Sequence, residues 1–260
     1  MGIINVTPDS FSDGGRFVQD DIALQHGLAL AGEGADILDV GGESTRPGAV
    51  EVSVQEELDR VIPIIEILAK ETSTPVSIDS YKPQVIRAAV AAGAAMINDV
   101  NALRAEGALQ AAAQTQVPIC LMHMQSQPKT MQQSPQYKNV VADVIEFLSQ
   151  RIDACTEAGI SIDRLIADPG IGFGKTLQHN LALLNAVPEM RAKLGCELLI
   201  GVSRKSMIDA LLKRTIDQRL YASLGLAVQA TLNGAKIVRV HDVRATYDAV
   251  RCVEAVSNIS

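Results

Sequence analysis

Carboxylates, carboxamides and cations recur down this 260-residue chain, each at or just past the end of a short apolar run. Asn5, Asp39, Asp79, Asn98, His123, Asp168, Ser203-Arg204-Lys205 and Arg239-Val240-His241 all stand in that position. Any one of them could be a helix cap or a turn former. After eight runs of eight, they describe a ring of polar groups at the common end of eight strands. A carboxylate such as Asp168 can accept two parallel N–H donors from the edge of a fused heterocycle, as it does from a guanidinium. Asn98 offers the matching mixed donor and acceptor edge. Arg46, Lys205, Arg239 and His241 add local positive potential, which favours a phosphorylated or pyrophosphorylated small molecule.

The loops beyond these residues carry chemistry of their own. The first run, Gly2–Val6, delivers Asn5 to a loop with an amide, two carboxylates, the Phe11 ring and several hydroxyls, bent by Pro8, Gly14 and Gly15. Glu43-Ser44-Thr45-Arg46-Pro47-Gly48 leaves the same face. Asp168-Pro169-Gly170-Ile171-Gly172-Phe173-Gly174-Lys175-Thr176 superficially resembles a P-loop, but Pro169 lacks the N–H that such a loop uses, so a nucleoside triphosphate site is rejected. Its glycines let backbone approach a flat ligand closely. Ser203–Ser206 is expected to open a helix, where backbone N–H groups favour anions. Alternate residues of Arg239-Val240-His241 point the same way. Loops after strands seven and eight are the usual phosphate site of barrels. His26 and His179 read as surface residues, and His123 as either site wall or packing. No His or Cys spacing makes a metal cage. A magnesium ion bridging substrate phosphates needs few protein ligands, and Asn5 is the candidate.

The elements that must position these groups are eight runs: Gly2–Val6, Asp36–Val40, Pro75–Asp79, Ala95–Asp99, Pro118–Met122, Arg164–Asp168, Leu198–Val202 and Lys236–Val240. Between them, Val54, Leu58, Val61, Ile62, Ile65 and Leu68 keep helical spacing, as do Val140, Val144, Ile145, Leu148, Ile152 and Cys155. Pro63 predicts a kink in the first of these. Gly34, Gly93, Gly159, Gly195 and Gly234 stand where helices should end. Such alternation demands a parallel sheet, and eight units close naturally into a (β/α)8 TIM barrel with its site at the strands' C-terminal ends. A doubly wound open sheet is the second possibility. No linker or composition shift divides residues 1–260, which read as one domain.

Composition sets the outer limits. At 47% hydrophobic and 3% aromatic, with no Trp, the core must be Ala, Val, Ile and Leu, which suits buried parallel strands. The net charge of −7 argues against a nucleic-acid surface, which needs a broad basic field. No leader pattern opens the chain and no apolar stretch is long enough to span a bilayer. Cys120, Cys155, Cys196 and Cys252 form no CxxC pair, which fits reduced thiols in a soluble, cytoplasmic protein.

Asn5–Gly15, Asp39–Gly48, Ile97-Asn98-Asp99, Asp168–Lys175, Ser203–Ser206 and Arg239–His241 together resemble the dihydropteroate synthase family of folate biosynthesis, over essentially the whole length. The resemblance implies a pterin-binding barrel that joins 6-hydroxymethyl-7,8-dihydropterin pyrophosphate to 4-aminobenzoate, giving 7,8-dihydropteroate and pyrophosphate. It implies a pterin pocket of Asp79, Asn98, Asp168 and Lys205, walled by Met122 and Gly201. It places pyrophosphate on Asn5, Arg46, Arg239 and His241, with Mg2+ on Asn5. It places 4-aminobenzoate among Phe11, Thr45, Arg46, Pro47, Phe173, Lys205 and Ser206. Asp79, Asp168, Lys205 and Arg239 form the implied catalytic set, with Asp13 closing over the site. An aniline nitrogen is neutral and nucleophilic at pH 7, so the expected reaction is an SN1-like displacement. The family further implies a homodimer through late helices that include Tyr221–Leu232 and Val243–Val256, and residues ahead of the first strand that cover the barrel bottom. A pterin-binding methyltransferase barrel and a non-catalytic paralogue stay open beside this reading.

Overall fold

The computed structural model describes residues 1–7, 16–44, 51–125 and 135–257. Its strands are β1 Gly2–Asn5, β2 Leu38–Gly41, β3 Val76–Asp79, β4 Met96–Asp99, β5 Ile119–Met122, β6 Leu165–Asp168, β7 Glu197–Ile200 and β8 Ile237–Val238. Its helices are α1 Arg16–Gly32, α2 Val54–Glu71, α3 Pro83–Ala91, α4 Ala108–Ala113, α5 Val140–Glu157, α6 Leu177–Asn185, α7 Val187–Leu194, α8 Ser206–Leu212, α9 Leu220–Leu232 and α10 Val243–Ser257. All neighbouring strands are parallel, in the order β1 to β8. A doubly wound sheet would instead reverse its order at a switch point. The two ends of the sheet also meet. Gly2 and Val240 form a parallel bridge, and the Val240 N–H donates to the Met1 carbonyl at 2.9 Å.

Each strand is short, and its pleat sorts side chains between two environments. Ile4, Leu38, Val40, Ile78, Ile97, Leu121 and Leu198 join the main core against the helices. Met1, Met96, Cys120 and Leu199 pack with Ile37, Ile166 and Ile237 as a separate cluster on the other side of the strands, inside the curled sheet. The helix starts carry local signals. Ser53 Oγ accepts from the Glu56 N–H at 3.2 Å, and Asn139 Oδ1 from the Val141 N–H at 3.1 Å. The five glycines named above all follow helices with positive φ, +112° at Gly93. α2 runs through Pro63 to Glu71 as one helix.

Five strands are trimmed by one residue at one end, and β7 runs Glu197–Ile200 rather than Leu198–Val202; β2 and β8 also differ from expectation. The chain after α1 is still closing that helix at Ala35, whose N–H donates to the Leu30 carbonyl at 3.0 Å. The second strand therefore starts at Leu38 rather than Asp36, and Asp39 lies within it instead of at its end. β8 keeps only Ile237 and Val238, although the Arg239 N–H still reaches the Ile200 carbonyl at 3.0 Å.

Candidate active site

Directly above the apolar layer inside the sheet, the same pleat places polar residues. Asn5 pairs across the ladder with Gly41, Gly41 with Asp79, and Asp79 with Asn98. Further round, Met122 pairs with Asp168. Arg239, arriving from the last strand, links them. Its Nε donates to Asp39 Oδ2 at 2.6 Å and its Nη2 to Asp79 Oδ2 at 2.7 Å. Asn98 Nδ2 donates to the same Asp39 oxygen at 3.0 Å. Burial pushes the Asp79 carboxyl up from the ordinary carboxylate range, with Arg239 pulling the other way. Asp39 has no role among the expected site residues, yet it is fully buried beneath them and orients both Asn98 and Arg239. Its Oδ1, and Oγ of its ladder partner Ser77, are buried without a hydrogen-bond partner among the described residues.

Across the opening, Asp168 and Lys205 form a second group. One Asp168 oxygen accepts from the Gly170 N–H at 2.7 Å, and burial raises its pKa despite that bond. Lys205 Nζ donates to the Ile171 carbonyl at 2.7 Å and lies 4.2 Å from the centre of the Phe173 ring, close enough for a cation–π contact. Burial brings its pKa down to about 8, against the pull of Asp168. The turn between them requires glycine. Gly170 has φ +68°, and a Cβ there would sit 1.9 Å from the His123 carbonyl oxygen. Gly172 has φ +84°, and its missing Cβ leaves room for the Lys205 stem. Met122, Val100 and Met124 form an apolar cluster joined by Tyr81 and Phe173. Gly201 lies beside Arg239. Apolar walls flanking carboxylate and carboxamide edges suit a flat, polar-edged heterocycle.

Among the residues expected to face phosphate, Arg239 and His241 both lie just past the end of β8. Ser203 Oγ meets both the backbone N–H (3.2 Å) and Nδ1 (3.0 Å) of His241. Burial, then Arg204 and Arg239, lower the His241 pKa to about 4, so the ring is neutral at pH 7. Ser206 is exposed at the first residue of α8. Asn5 is half-buried at the end of β1. A neutral carboxamide oxygen fits magnesium as a single protein ligand, with phosphate and water oxygens completing its shell. No group of three His, Cys, Asp or Glu among the described residues could hold a metal by itself.

Some expected residues lie elsewhere. His123 is a packing residue: it is buried edge-on against Phe147, and its Nδ1 is 2.9 Å from Lys175 Nζ. His179 is half-buried rather than exposed, and completes a capping box with Thr176 at the start of α6. Phe11, Asp13, Thr45, Arg46 and Pro47 lie outside the described residues. A buried ion cluster at the foot of the second loop had no sequence signal. Lys82 Nζ is held by Glu43, by Glu57 Oε2 at 2.6 Å and by the Val52 carbonyl, and the Tyr81 hydroxyl donates to Glu43 at 3.2 Å. A cavity of about 590 Å³ lies against the start of β6 and the Cys196-Glu197 entry to β7, at the other end of the strands from this chemistry.

Comparison with known proteins identifies the family. Residues 1–241 match the family model described as pterin binding enzyme. The dihydropteroate synthase of Escherichia coli (strain K12) is 51% identical over 255 residues, covering 98% of this chain and 90% of that protein. That of Haemophilus influenzae is 49% identical over 258 residues, covering 99% and 94%. Among solved structures, Xanthomonas albilineans dihydropteroate synthase in complex with 7,8-dihydropteroate superposes with a TM-score of 0.91 at 49% identity, covering 100% of this chain and 94% of that one. The Yersinia pestis enzyme with a sulfonamide drug complex gives 0.94 at 50%, covering 99% and 93%. The chain belongs to the pterin-binding enzymes and, among them, to the dihydropteroate synthases.

Proposed function

We propose that the ring at the strand ends divides the dihydropteroate synthase reaction between three subsites within one (β/α)8 barrel domain, residues 1–260. The reaction joins 6-hydroxymethyl-7,8-dihydropterin pyrophosphate to 4-aminobenzoate and releases pyrophosphate. The observation that carries this division is the pairing of opposite charges around one opening: Asp79 and Asp39 on Arg239, and Asp168 facing Lys205.

Asp168 accepts the amino and ring N–H donors of the pterin, and Asn98 and Asp79 take the opposite edge. Lys205 donates to the ring, with Met122, Gly201 and Phe173 against its faces. Arg239, neutral His241 and Asn5 receive the pyrophosphate, with Arg46 from the second loop. Asn5 would hold Mg2+, which would supply neutralisation of charge on the leaving group. The methylene–oxygen bond breaks first in character, because a dihydropterin can delocalise the cation that develops. Acidic pterin contacts stabilise that cation, while Arg239 and His241 stabilise the departing anion. The 4-aminobenzoate nitrogen is already nucleophilic, so no strong base is needed. Phe11, Thr45, Arg46, Pro47, Phe173, Lys205 and Ser206 hold this second substrate, and Asp13 closes over it. The Xanthomonas albilineans enzyme bound to 4-aminobenzoic acid, 52% identical to this chain, supports that class of amine.

The same reading makes the protein a cytoplasmic homodimer. Tyr221, Leu232, Tyr247 and Val256 expose apolar surface on α9 and α10, the late helices expected to pair. Pyrophosphate release is the direct assay. Product should form only when both substrates and Mg2+ are present; sustained release without 4-aminobenzoate would replace this reading with a hydrolase, and no release with both substrates would replace it with a binding protein.

A further inference from the structure

Arg204 stands between Ser203, which holds His241, and Lys205, which reaches Ile171 and Phe173. Its backbone is left-handed, φ +57°, and it carries a Cβ. Such a conformation is disfavoured for any residue but glycine and persists only where the surroundings hold it. The backbone N–H and carbonyl of Arg204 and two of its guanidinium nitrogens are engaged. Its N–H donates to Ser223 Oγ at 2.9 Å, and its carbonyl accepts from Arg219 Nη1 at 3.1 Å. Ser223 Oγ in turn donates to the Arg219 carbonyl at 2.7 Å. The guanidinium grips Asp242 through both arms, Nε to Oδ2 at 3.0 Å and Nη2 to Oδ1. Asp242 directly follows His241, and its carbonyl accepts from Thr246 in the first turn of α10.

We propose that Arg204 is a positioning residue: its two-armed bridge to Asp242 holds a strained turn that aims Lys205 at the pterin side and His241 at the pyrophosphate side. This rests on the division of roles proposed above. An exposed ion pair is generally worth little. A planar fork on a carboxylate at a fixed backbone site is different, because it specifies geometry as well as charge. The bridge locks the loop after β7 to the loop after β8, so the two halves of the site keep one spacing.

The test separates the bridge from the backbone strain. In the full-length protein, Arg204→Ala and Asp242→Ala each remove the bridge and keep the left-handed turn under strain. Each should lower kcat/KM for the pterin pyrophosphate by about tenfold or more, chiefly through kcat, as misplaced catalytic groups do. Arg204→Gly also removes the bridge but relieves the strain, and should recover on the order of fivefold over Arg204→Ala. Alanine variants within about twofold of the parent in kcat/KM, or a glycine variant no better than alanine, overturn the proposal. So does a loss that only follows the folded fraction seen by circular dichroism. Crystal structures of the alanine variants keep this result apart from the assignment of roles. Lys205 Nζ should leave the Ile171 carbonyl in both; an unmoved Lys205 refutes the positioning role whatever the activity.

Discussion

Lys205 is a site cation whose charge state responds to alkaline pH. Burial holds its pKa down to about 8, so it carries its proton at pH 7 and loses it as pH rises through that value. The cation is the form that sets a positive charge beside the proposed pterin position, so kcat/KM should fall above about pH 8. Lys205→Arg removes the titration because a guanidinium stays charged. Whatever activity remains in that variant should show no alkaline limb near pH 8, and an unchanged limb would assign it to another group. At the same scale, sequence reading reaches residue type and misses depth. Asp39 was visible as a polar residue near a strand end. Its position one layer below, on Asn98 and Arg239, depends on where α1 lets go of the chain. His123 could not be resolved alone, because its partners Phe147 and Lys175 come from α5 and the loop after β6.

Secondary elements set which substitutions break the scaffold rather than the chemistry. Lys82, just ahead of α3, neutralises Glu43 after β2 and Glu57 in α2. Lys82→Met leaves the buried Glu57 and the half-buried Glu43 without a cation, which costs about 3–5 kcal/mol. Reversible urea unfolding should show that loss, and a change below about 1 kcal/mol would mean that water screens the cluster. Gly170→Ala places a Cβ on the His123 carbonyl in a left-handed turn, a cost of about 2–5 kcal/mol by the same measurement. A Gly170→Ala protein as stable as the parent would show that the turn can shift freely. Strand positions were largely legible, since five-residue apolar runs between helical spacings have few other readings. The Lys82 cluster was not, because its members lie 25 and 39 residues apart and no local pattern announces them.

For the whole molecule, eight strands in sequential order gather residues from position 5 to position 241 around one opening. That order followed from strict strand–helix alternation. What alternation could not supply was the network of charge inside, which exists only once β8 returns beside β1 and brings Arg239 to Asp39 and Asp79. The apolar residues on α9 and α10 belong to this scale too. Sedimentation should give twice the 27.7 kDa chain mass, and Leu232→Lys should shift it to the monomer. A monomeric parent protein would contradict the proposed pairing. Whether the ring of strand-end residues binds the pterin can be decided with one variant. Asp168→Asn keeps the shape of the side chain but turns one acceptor oxygen into a donor. Pyrophosphate release with both substrates and Mg2+ should drop by about a hundredfold or more in kcat/KM, with pterin binding lost alongside. Turnover within about threefold of the parent would contradict the assignment of Asp168 and, with it, the placement of the pterin.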